Sequence, residues 1–134
     1  MKVFALAAVS GLAALLALDG LWLTAMLRRF YEPRMGALLA ESPNFAPAGV
    51  FYLLYAAGLA FLVVVPAVSG GESGWKTCLR GALFGLVCYG TYDLTNQATL
   101  KAWPLSLTVV DMSWGAALTG TACLASFWLT RRFA

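Results

Sequence analysis

Apolar residues run along this chain in four long segments, roughly 3–27, 47–68, 75–100 and 104–130, separated by short stretches that hold most of the charge. Each segment is long enough to cross a hydrocarbon core, which needs about 20 residues of helix. Lipid offers backbone N–H and C=O groups no partners, so spans of this length are expected as helices. The pattern predicts an all-α integral membrane four-helix bundle, one transmembrane domain over residues 1–134. The first connection, RRFYEPRMGALLAESPNFAP, is the longest, and Met35, Leu38 and Leu39 at helical spacing within 33–41 suggest a short helix along the membrane interface. Pro47 suits the first turn of the second helix, where its missing N–H costs nothing, and Pro66 near the end of that span reads as a helix-ending kink. The second connection, SGGESG, is a glycine-rich turn. The step from Lys101 to Trp103 is so short that helices three and four must be antiparallel neighbours. Trp22, Trp75, Trp103 and Trp128 lie near span ends, where aromatic rings favour the headgroup boundary.

Composition turns the span pattern into a membrane assignment. Of 134 residues, 61% are hydrophobic and only 11% charged, with a mean hydropathy of +0.79. A soluble domain carries about 25% charged residues, and a chain this small has too much surface to hide the apolar excess. The net charge of +3 is small and its basic residues scattered, which excludes a nucleic-acid partner. There is no histidine, and Cys78, Cys88 and Cys123 show no metal-ligand spacing, so the sequence implies no metal and no cofactor, only buried thiols. The basic start followed by an apolar run resembles a signal peptide, but the run continues past Asp19 to Leu27 and reads as an uncleaved first span. The side holding both termini carries five basic residues (Lys2, Lys76, Arg80, Arg131, Arg132) against four on the other (Arg28, Arg29, Arg34, Lys101). That margin of one favours cytoplasmic termini in a multi-pass protein of a bacterial inner membrane.

Candidate chemistry centres on YDLTNQATLKAWPLSLTVVDMSWG, from Tyr92 to Gly115. Asp93 and Asp111 lie here inside spans, and Asp19 lies inside the first. Counted from Arg28, Lys101 and Pro104, all three sit about 10–14 Å in from the face that carries the first and third connections. Tyr55, eight residues after Pro47, comes to the same depth on helix two. Residues three, four and seven apart share a helical face, which puts Tyr89, Asp93, Asn96 and Gln97 on one stripe and Thr108, Asp111, Trp114 and Gly115 on another. Asp19 with Trp22 and Asp111 with Trp114 also repeat a D-x-x-W spacing on helices running oppositely, which would aim the tryptophans at opposite faces, as in inverted repeats. Gly81 and Gly85 form a GxxxG pair that serves either a homo-oligomer contact or close packing inside one bundle.

The string YDLTNQATLKAWP, the following D-x-x-W-G and the earlier LDGLWL resemble a family of small bacterial four-span membrane proteins catalogued as a domain of unknown function. The resemblance covers most of the chain and implies a membrane bundle without implying a mechanism.

Intramembrane acids are functional candidates by default, because each costs at least about 2.5–3.5 kcal/mol to insert. The leading expectation is a ligand site, made from Asp19, Trp22, Tyr55, Tyr89, Tyr92, Asp93, Asn96, Asp111 and Trp114, that takes a lipid or another small amphipathic molecule. Apolar surroundings would let Asp93 and Asp111 share a proton. Two alternatives stand beside it: a proton- or cation-coupled transporter subunit, and a lipid-modifying enzyme with Asp93 or Asp111 as general acid or base. A bland reading also stands, in which the acids are hydrogen-bonded glue between helices.

Overall fold

A computed structural model describes residues 1–134. It is an all-α bundle of four helical rods without strands. The first rod is α1 (Lys2–Met26), continued through a wide π turn at Leu27–Tyr31 into the short α2 (Glu32–Met35) and a 3-10 turn at Gly36–Leu38. The second joins α3 (Phe45–Leu59) through a π turn at Ala60–Val64 to α4 (Val65–Ser69). The third and fourth are α5 (Gly74–Thr99) and α6 (Leu105–Phe133).

Local chemistry explains the ends. Asn44 caps α3 by accepting the Ala46 N–H at 3.1 Å, and Ser73 caps α5 by accepting the Lys76 N–H at 3.3 Å. Pro66 does not end its helix as expected. The π turn before it shifts the hydrogen-bond pattern, with the Val65 N–H reaching Ala60 O, so the rod continues to Ser69. The expected interfacial helix over 33–41 is an extension of α1, and the chain leaves it near Gly36, whose φ of +52° suits only glycine.

α6 is the axis of the bundle, packing along both α5 and α1, while α3 leans on α1. The inward stripe of α5 is Gly74, Thr77, Gly81, Gly85 and Asp93, and the buried face of α6 includes Thr108, Asp111, Gly115, Thr119, Ser126 and Thr130. Small residues let the two backbones close. A Cβ at Gly85 would stand 2.2 Å from the Gly115 carbonyl oxygen, and one at Gly81 would stand 2.8 Å from Cys123 Cβ. The GxxxG pair is thus engaged within the chain, by α6.

Many large apolar side chains point outward. Leu21, Leu53, Leu54, Phe61, Leu83, Leu94 and Val109 are all exposed. The interior mixes apolar residues such as Leu15, Leu59, Leu118 and Phe127 with polar ones such as Thr77, Asp93, Thr119 and Ser126, and a coat of leucine around it is an arrangement that lipid solvates and water does not. Two rods, Lys2–Leu38 and Phe45–Ser69, are apolar enough by themselves to cross a membrane. α5 and α6 have the length, and they bury Thr77, Asp93, Thr108, Asp111, Thr119, Ser126 and Thr130. Of the tryptophans expected at the headgroup boundary, Trp75 and Trp128 are exposed, whereas Trp103 is buried and Trp22 half-buried.

Candidate functional site

α1 and α6 are packed neighbours, and their two D-x-x-W pairs meet across the contact. The Trp22 and Trp114 rings stack with centroids 4.4 Å apart and planes 5° from parallel, so the indoles face each other rather than opposite membrane surfaces. Trp114 Nε1–H donates to Asp19 Oδ1 at 3.0 Å. On the other half of the crossing, Trp22 Nε1–H donates to the Tyr31 hydroxyl at 3.0 Å, and that hydroxyl donates to Asp111 Oδ1 at 2.6 Å. Each helix therefore supplies a carboxyl group and an indole to the same network, one link direct and the other through a tyrosine.

Asp19 is further satisfied by the Tyr52 hydroxyl, which donates to its Oδ2. Two donors on one carboxylate make Asp19 a tie between α1, α3 and α6. Asp93 differs. It is fully buried, and no donor reaches either of its oxygens. Its turn of α5 lies against α6 at Thr108, whose Oγ1 is 3.4 Å from the Asp93 carbonyl oxygen, and Asp111 follows Thr108 by one helical turn. The one ion pair in the protein, Arg80 to Glu72 at 2.8 Å, lies by the second connection and neutralises none of these acids.

Other expected site residues lie apart from the acids. Tyr55 turns its hydroxyl to Thr119 Oγ1 at 2.6 Å and stacks on Phe84 at 5.5 Å. Its place beside Asp19 is taken by Tyr52, because α3 leans on α1. Tyr89 lays its ring over Gly115, where a Cβ would come within 2.2 Å of Tyr89 Cγ. With Phe51, Cys88 and Tyr92 it lines an open groove of about 440 Å3 between α3 and α5. Asn96 is half-buried and its side chain makes no hydrogen bond. No aspartate lines the groove. The acid network and the groove are thus neighbouring features, where the sequence had suggested a single pocket.

Two participants escaped the sequence reading. Tyr31 follows Arg28 and Arg29, which read as the end of a span, and it reaches the network because the π turn adds one residue to the helical spacing after Met26. Tyr52 lay one turn from the chosen Tyr55 and carried a usable signal in that spacing. A third cluster closes the α5–α6 turn. Trp103 Nε1–H donates to Thr108 Oγ1 at 2.9 Å, Thr108 donates to Gln97 Oε1 at 2.7 Å, and Gln97 Nε2–H donates to the Trp103 carbonyl at 2.8 Å. That ring of bonds holds the helix end directly after Asp93 and explains why Trp103 lies inside. Removing the Tyr31 hydroxyl in Tyr31→Phe strips Asp111 of its donor and Trp22 of its acceptor. The expected loss is about 1 kcal/mol of unfolding free energy in detergent; no measurable loss would show that this link contributes nothing.

Spans long and apolar enough to cross a membrane, with a leucine-rich outer surface, define a helical membrane protein. The family described as Predicted membrane protein (DUF2177) matches residues 4–128, and the chain belongs to it. No curated protein and no solved structure gives a match.

Proposed function

We propose that this membrane protein binds an amphipathic molecule, a lipid in the first instance, with the apolar chain in the groove between α3 and α5. The observation that carries the reading is the groove itself, about 440 Å3 and lined by Phe51, Cys88, Tyr89 and Tyr92. Aromatic walls give such a chain more contact area than the leucine coat elsewhere. Asn96 follows Tyr92 by one helical turn toward Lys101, and its side-chain amide is free to meet a polar headgroup. In this reading Tyr55, stacked on Phe51, backs the groove, Asp93 lies on the same helix as its aromatic lining, and Asp19, Trp22, Asp111 and Trp114 tie the neighbouring helices together. The setting is a bacterial inner membrane with both termini in the cytoplasm, in line with five basic residues against four.

The test is native mass spectrometry of protein released gently from membranes. Cys88→Phe fills the groove, and the lipid retained by the wild type should fall several-fold in that variant. Equal retention in a folded Cys88→Phe protein would remove the groove as the binding site.

Proton-coupled transport is the second reading, favoured by one observation, the unpartnered buried carboxyl of Asp93. Proteoliposomes loaded with a pH-sensitive dye should then show proton entry that Asp93→Asn abolishes. Identical traces for both proteins would dispose of it.

A further inference from the structure

The interior of this bundle presents three carboxyl groups and no cation. Asp19, Asp93 and Asp111 are 7%, 0% and 9% exposed. Their supply of donors is unequal: Asp19 receives a tyrosine O–H and an indole N–H, Asp111 receives one tyrosine O–H, and Asp93 receives none. The titratable groups that meet the acids from other elements are Tyr31 on the turn after α1, bonded to Asp111, and Tyr52 on α3, bonded to Asp19, while Tyr89 and Tyr92 on α5 turn to the groove. None brings positive charge. Arg34 is turned away, donating to Ser106 Oγ and the Phe30 carbonyl.

An ionised carboxylate has only acceptors. Two ionised carboxylates brought together in a buried interior repel in a medium that screens little. A neutral acid in the same place has one O–H to give, and the neighbouring carboxyl is an acceptor.

We propose that Asp93 and Asp111 form a proton-binding site, with one proton held between them, carried by Asp93 and donated to Asp111. The donor pattern decides which residue carries it. Asp111 already accepts the Tyr31 hydroxyl on Oδ1, while Asp93 has nothing but its own O–H with which to meet its neighbour. Asp19, with both oxygens served, stays outside the pair. The pair carries one negative charge in place of two, and its ligand is a proton rather than a metal ion. No group of three or more metal-ligating side chains forms anywhere in the bundle. The site holds whether or not the protein binds lipid in its groove or moves protons across the membrane.

Infrared difference spectroscopy of the full chain in nanodiscs tests it. The wild type should show the carbonyl stretch of a protonated carboxylic acid in a dry setting, shifted to lower frequency in D2O. Asp93→Asn should lose that band, and Asp19→Asn should keep it. Should Asp93→Asn fail to fold, Asp93→Glu retains an acid at the position and should move the band. Absence of an acid band in the wild type would overturn the proposal, as would a band that survives in folded Asp93→Asn or stays unmoved in Asp93→Glu. A spectrum of carboxylates alone that responds to added sodium or magnesium chloride would also overturn it, in favour of a bound cation.

Discussion

Replacing Gly85 by alanine is expected to cost about 3 kcal/mol of stability, the upper range for overpacking a close-packed interior. The new methyl would stand 2.2 Å from the Gly115 carbonyl oxygen and 2.5 Å from Thr119 Oγ1. A side chain can rotate away from such a clash, but a carbonyl in the middle of α6 can move only if the helix moves. The α5–α6 contact should therefore open along its length. Gly49→Ala is the matched control, since a Cβ there meets nothing within 4 Å. Alanine's better helix propensity should leave that variant equal to or up to about 1 kcal/mol above the wild type. Both are read by helix signal during denaturant unfolding in detergent, and similar midpoints for the two variants would contradict the packing described for α5 and α6.

Asp19→Ala should be the second large loss, about 1–3 kcal/mol. It removes the acceptor for the Trp114 N–H and the Tyr52 O–H together, leaving two half-buried donors on two different helices. Hydrogen bonds between membrane helices average about 0.6 kcal/mol by double-mutant cycles, so the loss depends on both bonds going at once. Asp19→Asn keeps an acceptor oxygen and should lose less. A cycle combining Asp19→Ala with Trp114→Phe isolates the direct link, with an expected coupling of about 0.5–1.5 kcal/mol. Zero coupling would mean that the indole and the carboxylate stand close without contributing to stability.

The four rods were legible because span length and mean hydropathy are properties of whole segments. An error of a residue or two leaves such a prediction intact. The D-x-x-W echo was visible as a local pattern but misread in its geometry, since it suggested tryptophans aimed at opposite faces where antiparallel packing stacks Trp22 on Trp114. What periodicity could not give is where the period changes. The π turn at Leu27–Tyr31 carries Tyr31 into the network from beyond two arginines that look like the end of a span. The π turn at Ala60–Val64 carries the second rod past Pro66 for the same reason. Beyond the α5–α6 pair, which its short connection dictates, helix neighbours were out of reach. The choice between Tyr52 and Tyr55 rests on whether α3 leans toward α1 or α5, and both residues are tyrosines on nearly one face. Trp103 shows a third limit, because a tryptophan near a span end reads as a headgroup anchor until Gln97 and Thr108 are seen to receive it.

The crossed pairing of α1 with α6 carries a consequence for how the chain enters a membrane. Synthesis delivers α1 first, and Asp19 reaches the bilayer before any of its partners exist. Its first donor, Tyr52, lies 33 residues later, and its second, Trp114, lies 95 residues later. Until then the aspartate stands in lipid or at the insertion channel with its insertion cost of about 2.5–3.5 kcal/mol unrelieved. Asp111 enters under opposite conditions, since Tyr31 and Trp22 are already in place when it arrives. The first helix therefore waits for the last, and a chain interrupted before Trp114 would leave Asp19 with only Tyr52 as its donor.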